Sequence, residues 1–196
     1  NPHQFVTMPP RDLEMKKELL GKVEKIKQFA EKSNVNYIAG KKSKIGLITS
    51  GITHLHAMEA MDILGLDLPI LKLGFFYPLP KKLIAEFIKG KKEILVLEEL
   101  DPYLEKEIAI IAKETNPKLK IHGKDLITEI GELDTEKTSL AIAKVTGKKF
   151  KVQKNKLLDL PRRYPKLCKG CPHLYTISTI KRAAPEGTVF GGDIGC

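Results

Sequence analysis

Apolar positions recur at helical spacing near the start of the chain. Leu13, Leu19, Leu20, Val23, Ile26 and Phe29 stand among Lys and Glu, which predicts an amphipathic helix. Met8-Pro9-Pro10 precedes this pattern and Ser33-Asn34-Val35-Asn36 breaks it. Residues 1–43 therefore read as a connecting segment whose helix lies on a neighbouring domain. From Lys44 the texture changes to short apolar runs separated by helical patterns. Lys44–Ser50, Pro69–Leu73 and Glu93–Leu97 predict strands, with a weaker one at Leu119–His122. Between them, helical patterns span His54–Leu64, the stretch from Pro80 to Lys89, and Asp101 to Thr115, where Asp101 before Pro102 offers a cap for the first free amides. A last helix is expected from Asp134 to Val145. Strands alternating with helices imply crossovers and a mostly parallel sheet with flanking helices, an α/β domain over residues 44–148.

Residues 149–167 are polar and Lys-rich, carry Pro161 and Pro165, and read as a linker. A second unit, 168–196, follows: a Cys-containing loop, a helical stretch from Tyr175 to Ala183, a strand at Thr188–Phe190, and the closing run Gly191-Gly192-Asp193-Ile194-Gly195-Cys196. One strand cannot build a core, so this unit is expected to be the truncated start of a further domain. The chain opens at Asn1 without an initiator Met and stops in a turn. The expectation is a polypeptide that continues in both directions.

The net charge of +10 raises the question of nucleic acid. The cations are overwhelmingly Lys, dispersed and interleaved with Glu. Arg occurs only at Arg11, Arg162, Arg163 and Arg182, although Arg is the better residue for bidentate phosphate and base contacts. A solvated Lys- and Glu-rich surface of thermophile type is the expected reading, with no nucleic-acid partner. No apolar run reaches the roughly 18–20 residues of a membrane span. Three Cys cannot form a fully paired disulfide set, and their arrangement suits a reducing, cytoplasmic setting.

Those three residues carry the strongest chemistry. Cys168 and Cys171 form a C-x2-C pair around Gly170, and Cys196 follows after a further 24 residues. Two thiolates at that spacing reach one metal centre, and a third arriving from a later turn fits an iron–sulfur cluster whose fourth ligand lies elsewhere. A zinc half-site, a redox pair and an incidental pair of thiols are the competing readings. The Gly-rich run after Phe190 would stand at the carboxyl end of a strand, where open α/β sheets place ligands and where Gly lets backbone amides approach a phosphate.

Taken together, these segments resemble the large subunit of the indolepyruvate ferredoxin oxidoreductase family, thiamine-diphosphate-dependent 2-oxoacid oxidoreductases. The likeness is carried by Leu167-Cys-Lys-Gly-Cys-Pro-His173 and Gly192-Asp-Ile-Gly-Cys196. Ile48-Thr-Ser-Gly-Ile52, Leu71-Lys-Leu-Gly74 with Tyr77-Pro-Leu-Pro80, and Val96-Leu-Glu-Glu-Leu-Asp-Pro102 extend it from Phe5 onward. Lys169 stands where the family commonly has Pro, and Leu174-Tyr175 replace a common Arg-Gly. The resemblance implies a transketolase C-terminal-like domain followed by the start of a thiamine-diphosphate-binding domain. It implies oxidative decarboxylation of an arylpyruvate, with the acyl group passed to coenzyme A and electrons passed through iron–sulfur clusters to ferredoxin. By that likeness Cys168, Cys171 and Cys196 ligate a [4Fe-4S] cluster, while His173, Gly192, Asp193, Gly195 and Cys196 lie at the thiamine cofactor. The residues that hold Mg2+ and the diphosphate, and the acidic residue that activates the aminopyrimidine, fall outside the chain. The implied partners are a smaller β subunit, ferredoxin, coenzyme A and the arylpyruvate, and the fragment alone is expected to be inactive.

The remaining candidates have quieter readings. Glu98, Glu99 and Asp101 could serve as a base or metal site but are expected to cap the next helix. His54 and His56 should project to different sides, and His122 should be structural. Phe75, Phe76 and Tyr77 are expected to pack at a domain or subunit contact. The rival to an enzyme part is a stand-alone zinc module binding nucleic acid or a protein, which calls for a self-contained metal site and Arg-rich patches.

Overall fold

The computed structural model describes residue 5, residues 7–152 and residues 166–192. The chain divides into two compact units, residues 1–152 and 153–196.

In the first unit, helix α1 (Arg11–Lys32) leads into strand β1 (Tyr37–Ala39), followed by β2 (Ile45–Ser50), α2 (Thr53–Leu64), β3 (Ile70–Leu73) and α3 (Lys81–Ile88). Then come β4 (Glu93–Leu97), α4 (Tyr103–Thr115), β5 (Lys120–His122) and α5 (Thr135–Thr146). The sheet order is β1-β3-β2-β4-β5, and β2, β3, β4 and β5 run parallel. Successive strand residues point to opposite faces, which explains the continuous apolar runs: a central parallel strand is buried on both sides. Leu47, Ile70, Leu95 and Leu97 pack with Ala57, Met61 and Leu64 of α2 and Ala141 and Ile142 of α5. Ile48, Leu71, Leu73, Ile94 and Val96 pack on the other face with Ile84 and Phe87 of α3 and Leu104 and Ile108 of α4. The expected α/β fold with a mostly parallel sheet and flanking helices is the one present.

The sheet also draws in residues assigned above to the connecting segment. β1 lies antiparallel to β3, with Ile38 opposite Leu71. It went unread because an edge strand of three residues, with Tyr37 and Ile38 exposed, has no alternation to detect. Asn36 fixes its entry. The buried side chain donates from Nδ2 to the Ala30 carbonyl (2.9 Å) and accepts at Oδ1 from the Phe75 N–H (2.8 Å). The end of α1 is thereby tied to the loop after β3, and Phe29 meets Phe75 edge-on. The rest of the α1 apolar stripe, including Leu13, Leu19, Leu20 and Ile26, stays exposed.

Helix starts at the carboxyl edge of the sheet take their acceptors from elsewhere. Neither α3 nor α4 has a side-chain cap from its own N-cap residue. Glu31 of α1 accepts from the Lys82 and Leu83 amides (3.0 and 3.2 Å), and buried Glu98 accepts from the Leu104 and Glu105 amides (2.7 and 2.9 Å). Asp101, expected to cap α4, does not: only its backbone carbonyl takes part, accepting from the Tyr103 N–H. Leu100 beside it adopts φ +54°, an uncommon conformation for a bulky residue. That turn lets Glu98, three residues before Asp101, reach back to the helix.

The second unit contains helix α6 (Pro172–Ala183), one turn longer at its start than the pattern implied because Pro172 occupies the first turn. The strand expected at Thr188–Phe190 is not formed. A strand needs a neighbour's N–H and C=O groups, and the described residues of this unit supply none. The segment leaves a turn closed by the Thr188 N–H to the Pro185 carbonyl (3.2 Å), and Val189 is 93% exposed.

Two stability effects follow. Asn36→Ala removes both bonds of a buried amide and should lower unfolding free energy in urea by about 2 kcal/mol, whereas an exposed substitution such as Lys106→Gln should change it little. Burial raises the Glu98 carboxyl above its ordinary value of 4.5, against the Glu105 and Leu104 amides and Lys124, which pull it down. A group with a raised folded-state value holds its proton longer in the fold. Its contribution to stability is full below 4.5 and declines as pH rises through the folded-state value. The stability of the wild type minus that of Glu98→Gln should therefore fall across that window, measured by urea titrations at several pH values. A constant difference would contradict it.

Candidate functional site

The Cys loop opens the described part of the second unit. Cys168-Lys169-Gly170-Cys171 is a β-turn closed by the Cys171 N–H to the Cys168 carbonyl (3.1 Å). Gly170 sits at φ +79°, the left-handed conformation that the third position of a type II turn needs and that Gly supplies without a Cβ clash. Pro172 then starts α6 with its fixed φ, and the Leu174 N–H bonds to the Cys171 carbonyl (3.1 Å). The turn thus puts two free cysteines in one short loop, Cys168 exposed and Cys171 half-buried. His173, in the first turn of α6, places Nδ1 3.5 Å from the Cys171 Sγ.

The structure therefore sets Cys171 beside His173, with Cys168 at the start of the same turn. Gly192 is exposed at the end of the described stretch, and Asp193, Gly195 and Cys196 lie outside the described residues. No group of three or more His, Cys, Asp or Glu able to hold a metal occurs among the described residues. The turn offers two soft donors on its own, half of the four that a cubane cluster usually takes. Helix α6 buries none of its residues, and Leu174, Ile177 and Ile180 line an exposed apolar stripe at i, i+3, i+6 spacing.

The carboxyl edge of the first unit's sheet is the other place where chemistry would be expected. Glu98, Glu99 and His54 are already engaged there, whereas the Asp101 carboxylate is exposed. Both Glu98 oxygens hold the start of α4, and Glu99 accepts from the Leu133 N–H (2.9 Å). His54 is buried between Tyr37 and Thr49, with Nε2 3.0 Å from the Tyr37 hydroxyl and Nδ1 3.2 Å from Thr49 Oγ1. Because Thr49 Oγ1 donates onward to the Leu71 carbonyl, it accepts from Nδ1–H, and Nε2 accepts from Tyr37. Burial, then the positive charge of Lys72, lowers the His54 pKa from its ordinary 6.5 and favours the neutral ring. His56 turns elsewhere, its Nδ1 3.2 Å from Thr135 Oγ1, so the two do not form a paired site. His122 is structural as expected, held by Asp125 (2.7 Å) and Glu93 (3.2 Å).

These carboxylates and imidazoles are scaffold rather than acid–base machinery. The same edge leaves apolar groups in the open: Ile52, Phe76, Tyr77, Leu100 and Tyr103 are exposed, with Phe76 edge-on to Tyr103. The sequence pointed to Phe76 and Tyr77 but gave no sign of Leu100 and Tyr103 joining them. Their exposure arises from the tight β4–α4 loop, which no periodicity announces. Among the described residues no helix is long and apolar enough to cross a membrane.

Comparison with known proteins bears on the whole chain. Across 206 aligned residues it is 38% identical to "Indolepyruvate oxidoreductase subunit IorA" of Methanothermobacter marburgensis, and 34% identical to the subunit of the same name from Pyrococcus horikoshii. Each alignment covers 100% of this chain but only 33% and 32% of the relative, so the chain spans about a third of the length of the curated relatives it matches. Among solved structures, a split-gene transketolase (inactive β4 tetramer) is similar over 55% of this chain and 40% of its own, at TM-score 0.43 and 18% identity. A 2-oxoglutarate:ferredoxin oxidoreductase from Magnetococcus marinus is similar over 71% of this chain and 24% of its own, at TM-score 0.47 and 16% identity. The assignment rests on sequence: residues 36–163 match the family model described as the indolepyruvate oxidoreductase domain, and the chain belongs to that family.

Proposed function

We propose that this chain forms part of an enzyme that oxidatively decarboxylates arylpyruvates, indolepyruvate among them. The balanced reaction takes the 2-oxoacid, coenzyme A and two oxidised ferredoxins to the acyl-CoA, carbon dioxide, a proton and two reduced ferredoxins. Thiamine diphosphate, bound with Mg2+, supplies the electron sink for loss of the carboxylate. What this chain contributes is position. The first unit is a rigid α/β scaffold whose exposed apolar edge, with Phe76, Tyr77 and Tyr103, offers a contact for the smaller β subunit or a neighbouring domain. In the second unit, the run Gly192, Asp193, Gly195 and Cys196 would supply the backbone approach to the cofactor, a role that the sequence pattern and the family resemblance support. His173, on the first turn of α6, would add a polar group to that site.

The observation that carries this reading is the Cys168–Cys171 turn. Two free thiols on either side of a Gly at φ +79° fit two corners of a [4Fe-4S] cluster, with Cys196 as the third ligand. A cluster there would give electrons a way out toward ferredoxin. The turn also fits half of a zinc site, so the experiment must separate electron exit from folding.

In the complete enzyme, Cys171→Ser should reduce ferredoxin reduction by about tenfold or more, in the range typical of a damaged metal site, while carbon dioxide release with an artificial acceptor falls much less. If Cys171→Ser leaves iron content and ferredoxin reduction both unchanged, the thiols are structural and this reading is wrong.

A further inference from the structure

A separate feature of the first unit lies at the amino-terminal end of its parallel strands, away from their carboxyl edge. A cavity of about 650 Å³ opens there, lined by Lys42 and Lys44 before β2 and by Lys89 and Lys91 before β4, with Glu86, Phe87 and Ser43. That volume is within the range of small-ligand sites, roughly 300–1,000 Å³.

Two of the lysines are held in place. Gly46 lies inside β2, and a Cβ there would come within 2.9 Å of Lys91 Cδ and Cε, so a side chain at this position would displace the Lys91 stem. The Lys91 ammonium donates to the Ser43 carbonyl (3.2 Å) and stands 4.8 Å from the centre of the Phe87 ring. Lys44 reaches the other way and donates to the Gly90 carbonyl (3.2 Å). The two loops are therefore laced together by their own cations. Each ammonium has three donors, and these bonds take one apiece. Burial, then Lys44, pulls the Lys91 pKa below its ordinary value, so the positive charges at this spot are mutually unfavourable.

Among the described residues no ion pair neutralises them. One carboxylate, Glu86, shares the lining with four lysines. A merely solvated Lys surface would spread its charges apart on convex ground. Here four of them line one cavity, two of them bonded to backbone carbonyls.

We propose that this lysine-lined cavity binds a phosphate-bearing polyanion of the size of pyrophosphate or a nucleoside diphosphate. The phosphates would take the free donors of Lys44 and Lys91, with Lys42 and Lys89 adding charge at the rim. Phe87 is buried and already covered by Lys91, so recognition is of phosphate rather than of a stacked base. Binding joins the loops before β2 and β4 and stabilises the first unit by mass action.

The test is calorimetry on the full chain in about 50 mM salt, where screening leaves such contacts visible. Pyrophosphate and ADP serve as separate probes. The expected result is saturable binding of pyrophosphate at one site per chain. Lys44→Gln and Lys91→Met should each weaken it about tenfold, equivalent to about 1.4 kcal/mol, while Lys106→Gln on α4 leaves it unchanged. ADP binding at the same site as pyrophosphate, shown by competition, would extend the ligand class to nucleotides. Should Lys91→Met fail to fold by circular dichroism, Lys44→Gln carries the test, since its side chain is exposed. Absence of saturable binding for both probes, or an equal loss in Lys106→Gln, would overturn the proposal.

Discussion

Backbone amides at the first turns of α3 and α4 face the sheet edge without an acceptor from their own N-cap residues, and the arrangement of that edge depends on what supplies it. An unmet buried N–H costs about 1–3 kcal/mol, a large share of the margin of a small domain. Glu31 and Glu98 meet the requirement from a distance in sequence. The network continues from there. The Glu98 carbonyl accepts from Lys124 Nζ (2.7 Å), and the Glu105 carboxylate accepts from the Lys124 N–H (2.9 Å) in space that Gly123 leaves by lacking a Cβ. Thr53 Oγ1, at the start of α2, lies 2.8 Å from the Leu97 carbonyl and 2.7 Å from that of Ser50. The carboxyl edge is thus closed by polar contacts that engage Glu98 and Glu99 and leave its aromatic groups outward.

This closure explains which parts of the molecule were legible beforehand. β2, β3 and β4 are buried on both faces, so their apolar runs stood out, and α5 announced its start because Asp134 caps it from the adjacent position, accepting from the Lys137 N–H (2.7 Å). Long-range capping leaves no such mark. Asp101 looked like the cap of α4 because it sits beside Pro102, yet Glu98 does the work through the left-handed turn at Leu100. β1 was missed because its pairing partner, not its own pattern, makes it a strand. Thr188–Phe190 failed for the converse reason: its composition suits a strand, but no described neighbour offers a ladder.

The candidate site divides in the same way. Cys168, Gly170 and Cys171 are adjacent in sequence, so a turn was foreseeable from the residues alone, and the hydrogen bond that closes it agrees. The proximity of His173 to Cys171 follows from the helix beginning at Pro172. The lysine cavity was not foreseeable. Its cations come from two loops about fifty residues apart, and only the sheet register, Gly46 opposite Ile94, brings them to one place. In sequence they read as ordinary members of a charged surface.

The functional account turns on what the Cys turn holds. Metal analysis of the complete subunit, prepared without oxygen, tests this most directly when joined to electron paramagnetic resonance after reduction. The account predicts iron with acid-labile sulfide at a stoichiometry that drops by one cluster in Cys168→Ser. Zinc at that site, or an iron and sulfide content indifferent to Cys168, would contradict it.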